Sequence, residues 1–308
     1  MSHEFFVESI HKNRPELSCV VTAPWLCVGW GKRFAYLFTG LHWASRSVFS
    51  GGVHAVYVAC STLCFSGAPL DDALRSIREM NFTKADIAVR ERGGHLKPSD
   101  LLGDLTKICQ RIKASNVPVA AFHAAFPQPD GELSRSQLRA VSRLARLLAA
   151  PLVSVPAADI GADFAKEVER LTGWYKIASA EGVILTIETD SQTLTADPDM
   201  AAELCRLVPG LGISLDPSHY IASPSGPKNY DCLYPFVRHV RLRDSGNKPD
   251  AFQVRVGQGD LEYGRIITQL DRCRYDRALS VDVRNLPMPS FPVEPEVRKL
   301  KYLLESLV

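Results

Sequence analysis

Short apolar runs alternate with longer amphipathic segments along the chain from residue 54 to its last residue. A short apolar run is typical of a buried strand, whereas apolar positions recurring every three or four residues predict a helix. The predicted strands span 54–60, 85–89, 117–124, 151–155, 183–188, 211–216, 238–244 and 278–283. The predicted helices span 70–80, 98–114, 134–150, 162–182, 197–208, 261–273 and 295–308, with a broken segment between the sixth and seventh strands.

This strand–helix alternation favours parallel strands joined by right-handed crossovers. Eight such units between residues 54 and 308 match an α/β fold, the (β/α)8 TIM barrel. A doubly wound open sheet is the alternative, but no GxGxxG motif follows the first strand. Local signals predict that one helix begins at Pro98–Asp100, that Ser134 caps the next, and that Gly182 ends the fourth.

Residues 1–53 have a different character from the rest. They hold three of the four tryptophans, and no Asp or Glu occurs between Leu17 and Leu70. We expect a poorly structured N-terminal extension or a start-site artefact, ahead of a catalytic barrel at 54–308. A signal peptide is the alternative, although no clean cleavage site follows the apolar stretch. That stretch is too short for a membrane span and is cut by Pro24.

The bulk composition is that of an ordinary soluble globular protein. Apolar residues make up 46% of the chain and charged residues 23%. The net charge of +2 predicts neither a nucleic-acid partner nor a membrane surface. Eight cysteines without a CxxC pair indicate free thiols in a reducing compartment, so we expect a cytoplasmic protein. The sequence leaves open whether the chain forms a homo-oligomer.

Polar residues stand at the carboxyl ends of the predicted strands, where TIM-barrel enzymes place their chemistry. In the fifth, sixth and eighth strands, an acid shares its face with a hydroxyl residue two positions earlier, and the other face is apolar. The apolar face must meet the outer helices, so we expect these acids to point toward the barrel axis. The acids are Glu188, Asp216 and Asp282; the other polar residues at strand ends are His123, His219, Arg241 and Arg243.

Carboxylates that converge on one point repel each other and take up protons unless a cation lies among them. Oxygen ligands favour a hard divalent cation, so we predict Mn²⁺ or Mg²⁺ held by Glu188, Asp216 and Asp282. For each acid considered alone, a helix cap or a loop ion pair is the alternative.

Five motifs resemble those of the xylose isomerase-like barrels, a superfamily of sugar phosphate isomerases and epimerases. This superfamily also includes tagatose 3-epimerase-type enzymes, inosose dehydratases and an endonuclease IV branch. The resemblance covers residues 54–308 and says little about the substrate. The motifs are "IETD", "SLDPSH", "HVRLRDS", "VGQGDLEYGRII" and "YDRALSVDV".

The resemblance implies roles for individual residues. Glu188 and Asp216 correspond to metal ligands, and Asp282 lies where the family usually has a glutamate that binds the metal and moves protons. His219 corresponds to a contact for a substrate hydroxyl, and His123 to a histidine at the end of the third strand. The nuclease branch is disfavoured, because Arg241 and Gln253 stand where zinc-binding histidines would be.

One departure from the family weakens the metal prediction. "VRLRD" has Arg241 where the family usually has a histidine ligand, and a guanidinium cannot ligate a cation. Arg241 could instead pair with Glu188 or Asp216 and supply the positive charge. His239, two residues earlier on the same face, is expected to be a core histidine. Whether a metal is bound therefore stays open.

The expected function is an isomerase or epimerase of a small sugar, polyol or sugar phosphate. Glu188 and Asp282 would form the acid/base pair, and a metal or Arg241 would stabilise the enediolate. His219, His123 and Gln253 would contact the substrate, with Gln253 lining a lid formed by the glycine turn "VGQGD". A non-catalytic carbohydrate-binding barrel and a metal-independent lyase or dehydratase are the alternatives.

Overall fold

A computed structural model describes residues 56–127, 131–286 and 291–308, so the predicted extension at 1–53 lies outside the described residues. The strands are β1 Tyr57–Ser61, β2 Ala85–Val89, β3 Val119–Ala124, β4 Leu152–Pro156, β5 Ile184–Glu188, β6 Gly212–Leu215, β7 Val237–Leu242 and β8 Ala278–Val281. The helices are α1 Leu70–Glu79, α2 Leu105–Ala114, α3 Glu132–Leu147, α4 Phe164–Ala180, α5 Pro198–Leu207, α6 Ser218–Ile221, α7 Tyr263–Arg272 and α8 Val293–Glu305.

The eight strands form a closed parallel barrel in sequence order, which confirms the predicted TIM barrel. Closure comes from the pairing of β1 with β8, in which Tyr57 lies opposite Ala278. Apolar side chains on the outer face of the strands pack under the helices and form the main core; Leu185 and Ile187 of β5 are fully buried there. None of the helices in the described ranges is long and apolar enough to cross a bilayer.

The floor of the barrel holds small apolar side chains. Ala59, Ala120 and Ala278 form a separate buried cluster, with Tyr57 packed against it. Ala59 and Ala278 each stand two residues before a polar one in the same strand, Ser61 and Ser280, so they share the inward-facing phase. The interior is therefore apolar near the start of these strands and becomes polar toward their carboxyl ends.

Two predicted helix starts are wrong. The segment from Pro98 does not open a continuous helix: a single turn of 3-10 helix spans Asp100–Leu102, and α2 begins only at Leu105. Asp104 caps α2 by accepting a hydrogen bond from the Lys107 N–H at 3.0 Å, which a carboxylate at this position does well.

The third predicted helix also begins earlier than expected. Ser134 lies inside α3, because α3 starts directly after Gly131. The stop signal at Gly182 is confirmed: α4 ends at Ala180, and Gly182 takes the left-handed conformation with φ +71°.

Candidate functional site

A cavity of about 90 Å³ opens at the carboxyl end of the barrel. Its walls are unusually rich in charge for so small a space, and they come from loops and ends of strands around the ring. Five residues predicted from the sequence meet there: His123, Glu188, Asp216, His219 and Arg241. Arg90, Asp190, Phe252 and Arg284 also line the cavity.

Asp282 lies beneath this cavity and is surrounded by guanidinium groups. Its Oδ2 accepts hydrogen bonds from Arg243 Nη2 at 2.5 Å and from Arg284 Nη2 at 2.8 Å, and it lies 2.9 Å from Arg241 Nη2. Burial alone would raise the pKa of Asp282, but the three positive charges outweigh it and hold the pKa well below its usual range. Asp282 is therefore a permanently charged anchor for three arginines.

Arg243 bridges the two aspartates that the sequence assigned to a metal. Its Nη2 donates to Asp216 Oδ2 at 2.6 Å as well as to Asp282, and its side chain is fully buried. The ring of Phe252 lies 4.8 Å from this guanidinium and covers it. Ser218 binds the other oxygen of Asp216 through both its hydroxyl and its N–H. The positive charge between the two carboxylates is thus the guanidinium of Arg243.

The described residues do not fit a divalent cation. No group of three or more His, Cys, Asp or Glu side chains in those ranges is arranged to hold a metal ion. A hard cation needs several free oxygen ligands at ~2.0 to 2.6 Å, whereas Asp216 and Asp282 each place an oxygen on Arg243. The guanidinium would also repel the incoming ion. No catalytic step is therefore assigned to a metal.

The arginine that occupies this position differs from the one that the sequence favoured. Arg241 was expected to pair with Glu188 or Asp216, but its guanidinium contacts Asp282 and His123 instead. Arg243 makes the contact with Asp216. The reason is geometric: Arg243 follows the last residue of β7, so it lies one pleat closer to the mouth of the barrel than Arg241.

His123 connects Arg241 to Glu188. Arg241 can only donate, so His123 Nε2 accepts from Arg241 Nη1, and His123 Nδ1 lies against Glu188 Oε1. Burial lowers the pKa of His123, and the charge of Arg241 lowers it further, so the imidazole is neutral. Both ring nitrogens of His123 are in contact with other side chains. The predicted substrate contact of His123 stays a prediction, while the geometry gives it the task of orienting Glu188.

Glu188 is one of the carboxylates that line the cavity. Its side chain is 13% exposed, and Arg90 Nη2 lies 3.8 Å from its Oε2. Burial would raise its pKa, but His123 and Arg90 lower it well below the usual range. Glu188 is therefore ionised at neutral pH and presents an oxygen to anything bound in the cavity.

His219 stands at the rim in a defined tautomer. Its Nδ1 accepts a hydrogen bond from the Ser191 N–H at 3.1 Å, so the proton of the neutral ring is on Nε2. That Nε2 lies 3.8 Å from Asp216 Oδ2, and the Phe252 ring packs edge-on at 4.7 Å. Burial lowers the pKa of His219, which favours the neutral form. The ring can therefore donate an N–H to a bound oxygen atom.

Gln253 lies behind the cavity. Its amide nitrogen donates to the Arg284 carbonyl oxygen at 2.7 Å, and its amide oxygen accepts from the Arg284 N–H at 2.8 Å. The side chain thereby fixes the backbone that carries Arg284. Both polar atoms of Gln253 bind this backbone, and Gln253 is not among the residues that line the cavity. A direct substrate contact by Gln253 stays a prediction.

The glycine-rich segment is a turn built around Asp244. The N–H groups of Gly257 and Gly259 donate to Asp244 Oδ2 at 2.6 and 3.2 Å. This supports the interpretation of "VGQGD" as a tight βα turn.

Below the cavity, Asp86 and His239 form a buried pair across the barrel. His239 Nε2 lies 3.0 Å from Asp86 Oδ2, and Arg241 Nε lies 3.7 Å from the same oxygen. His239 is thus a buried partner of a carboxylate, as expected for a core histidine. The pair supports Arg241 from below.

Sequence reasoning missed Arg90, Arg284 and Phe252, and gave no role to Arg243. Arg90 comes directly after β2, and Arg284 stands two residues after Asp282. Reading the alternation one or two residues beyond the ends of the second and eighth strands would have found both arginines. Phe252 lies in an irregular loop, and no periodic signal marks it.

The sequence profile of the family described as xylose isomerase-like TIM barrel matches residues 74–305. Among curated proteins, none has a sequence that matches this chain.

Solved structures share the fold at low sequence identity. A xylose isomerase-like TIM barrel protein from Mycobacterium smegmatis in complex with magnesium has a TM-score of 0.65 and 16% identity, covering 83% of this chain and 99% of that one. A D-allulose 3-epimerase from Methylomonas sp. has a TM-score of 0.63 and 12% identity, covering 82% and 98%. The probable 3-DHS dehydratase AsbF from Bacillus anthracis has a TM-score of 0.60 and 14% identity, covering 79% and 98%. At such identities the likeness shows the fold alone.

Proposed function

This chain belongs to the xylose isomerase-like TIM-barrel family, and on that premise we propose that it is an isomerase or epimerase of a small sugar-like substrate. The proposal rests on one observation: an ionised Glu188 and a neutral, N–H-bearing His219 line the same cavity, together with guanidinium groups. A base, a hydrogen-bond donor and fixed positive charge are what proton transfer beside a carbonyl requires.

In the proposed reaction Glu188 takes a proton from the carbon next to the substrate carbonyl. Its low pKa makes it a weak base, so the transition state depends on stabilising the negative charge that develops on oxygen. His219 Nε2–H and the guanidinium of Arg241 supply that stabilisation from within the cavity. Returning the proton from Glu188 to the former carbonyl carbon, while the proton of the adjacent hydroxyl group moves to the former carbonyl oxygen, gives isomerisation. Epimerisation needs a proton donor on the other face of the enediolate, and in this proposal His219 Nε2–H is that donor.

Asp282 was expected to share the proton transfer with Glu188. Its fully buried carboxylate contacts three guanidinium groups, which favours a permanently ionised anchor over a proton carrier. We therefore propose that Glu188 moves protons without Asp282, and that Asp282 positions the arginines. A metal-independent dehydratase shares the first step, differing in that the enediolate expels a neighbouring hydroxyl group.

A non-catalytic carbohydrate-binding barrel is the second candidate. The observation that favours it is that the acids of the site already have partners within the protein. Arg243 pairs with Asp216 and Asp282, and His123 contacts one oxygen of Glu188. In this case the cavity would bind its ligand without turning it over.

Solvent exchange separates the two candidates. The protein would be incubated in D₂O with aldoses, ketoses and sugar acids, and deuterium incorporation beside the carbonyl measured by NMR. We expect exchange with at least one substrate, and a loss of about 10²- to 10⁴-fold in Glu188→Gln with an unchanged circular dichroism spectrum. Glu203→Gln, which alters an exposed ion pair with Arg206, is the matched control and should keep full activity. Full exchange in Glu188→Gln would remove this residue from the mechanism.

A further inference from the structure

Arg90 is a cation at the rim whose hydrogen-bonding capacity is largely unused. Its side chain is 28% exposed, and the nearest carboxylate oxygen in its ion pair, Glu188 Oε2, is 3.8 Å away. That distance is too long for a hydrogen bond. Its Nε has no hydrogen-bond partner among the described residues, although it is buried. An arginine buried to this extent is ordinarily satisfied, so Arg90 has donors left for a ligand.

Arg284 faces the same cavity and is held in place from two sides. Its Nε and Nη2 donate to Asp282 Oδ2 at 3.0 and 2.8 Å, and these bonds do not engage its third nitrogen. Gln253 binds its backbone at both the N–H and the carbonyl oxygen. A guanidinium fixed this way has lost its freedom before any ligand arrives, which lowers the entropic cost of binding.

The two arginines also repel each other. Burial lowers the pKa of Arg90, Glu188 raises it, and the charges of Arg284 and Arg241 lower it again. Like charges that line one cavity are stabilised by an anion between them. In the sequence, converging carboxylates predicted a cation between them; here, converging guanidinium groups predict an anion between them.

We infer that the cavity takes an anionic substrate, a small sugar acid whose carboxylate binds between Arg90 and Arg284. A planar carboxylate presents two coplanar oxygens that match the paired N–H groups of a guanidinium. This inference rests on the proposed function, since it names the substrate class for the same cavity. Glu188 and His219 would then act on the carbon chain attached to the carboxylate.

Calorimetric titration at constant ionic strength tests the inference through matched pairs of ligands. D-glucuronate is compared with D-glucose, and D-gluconate with D-glucitol, with D-glucose 6-phosphate as the phosphate probe. We expect at least one acid to bind at least about 10-fold more tightly than its neutral partner, as a charge-assisted bidentate contact would give. Acids that bind no better than their neutral partners overturn the inference, and a preference for the phosphate over both acids overturns the carboxylate assignment.

Variants then locate the contact. Arg90→Gln should weaken binding of the acid about 10- to 100-fold without changing that of the neutral partner, and Arg90→Lys should recover part of the loss. Arg75→Gln, which alters an exposed pair with Asp72, is the control and should bind like the wild type. Unchanged acid binding in Arg90→Gln overturns the inference. This variant is expected to fold because the one ion pair of Arg90 among the described residues is a long one, to Glu188.

The binding experiment tests the carboxylate site whether or not the protein turns its ligand over. Tight binding of acids without deuterium exchange would keep this inference and reject the proposed isomerase. Exchange on neutral ketoses that Arg90→Gln does not alter would keep the proposed isomerase and reject this inference.

Discussion

The floor and the mouth of the barrel are made by the same strands but are stabilised by different interactions. At the floor, Ala59, Ala120 and Ala278 pack as small apolar side chains with Tyr57 against them. At the mouth, β8 leads into Asp282, which is fully buried among three guanidinium groups. The floor is stabilised by packing, whereas the mouth is stabilised only as long as each charge keeps its partners. In TIM barrels, the first region usually serves stability and the second chemistry.

Between the two regions polarity rises in a graded way. Thr186, Ser214 and Ser280 place buried hydroxyl groups inside the barrel, each without a hydrogen-bond partner among the described residues. Above the floor, His239 pairs with Asp86. In the described part of the chain, buried side chains therefore lie below the charged layer, and the cavity opens above it.

The largest effect on stability is expected at the mouth, from Asp282→Asn. Removing this charge leaves three guanidinium groups around a neutral amide in a buried site, which should cost ~3 to 5 kcal/mol of unfolding free energy. Denaturant unfolding measures it. Asp276→Asn, which alters a surface pair with Arg277 at 3.8 Å, is the matched control and should cost less than ~1 kcal/mol. Equal costs for the two variants would contradict the account of Asp282 as an anchor.

A smaller effect is expected at the floor, from Ala278→Val. The added methyl groups enter a packed interior, and overpacking of this kind costs ~1 to 3 kcal/mol. Because the floor is not part of the cavity, deuterium exchange and ligand affinity should stay at the wild-type level. A loss of affinity that exceeds the loss of stability would mean that floor and mouth are coupled.

The smallest effect is the pH dependence that His123 contributes. Its folded pKa is lowered by burial and by Arg241, below the unfolded value of ~6.5. The unfolded chain therefore binds more protons than the folded one as pH falls through that value, and stability is lost in the acid direction. Between about pH 7.5 and about pH 5.5, we expect the wild type to lose about 1 kcal/mol more unfolding free energy than His123→Asn.

His219 titrates in the same direction and is present in both proteins, so the difference between them isolates His123. The lowered pKa of Glu188 acts only at more acidic pH, below its unfolded value of ~4.3. Parallel stability curves for wild type and His123→Asn would show that His123 is not held neutral.

Much of this contrast was readable from the sequence. Period-2 alternation placed Glu188, Asp216 and Asp282 on the inward phase, and the strand-end rule brought Glu188 and Asp216 to one cavity. What alternation does not specify is how far a long side chain reaches. Arg243 contacts the acids that follow β6 and β8, and the ring of Phe252, from the same connection between β7 and α7, covers its guanidinium.

The misplaced helix start has a similar cause. Ser99 and Asp104 are both good cap residues that lie five positions apart, and local sequence does not rank one above the other. The structure uses Asp104, leaving Asp100–Leu102 as an isolated 3-10 turn. Such choices are made by packing on the barrel, beyond the range of a local motif.

Guanidinium groups, chiefly that of Arg243, supply the positive charge at the barrel mouth. The most direct test is elemental analysis of the purified protein together with deuterium exchange before and after EDTA treatment. We predict far less than one Mn²⁺ or Mg²⁺ ion per chain and exchange rates that EDTA leaves unchanged. One tightly bound ion per chain, with activity lost on chelation and restored by adding the metal, would contradict it.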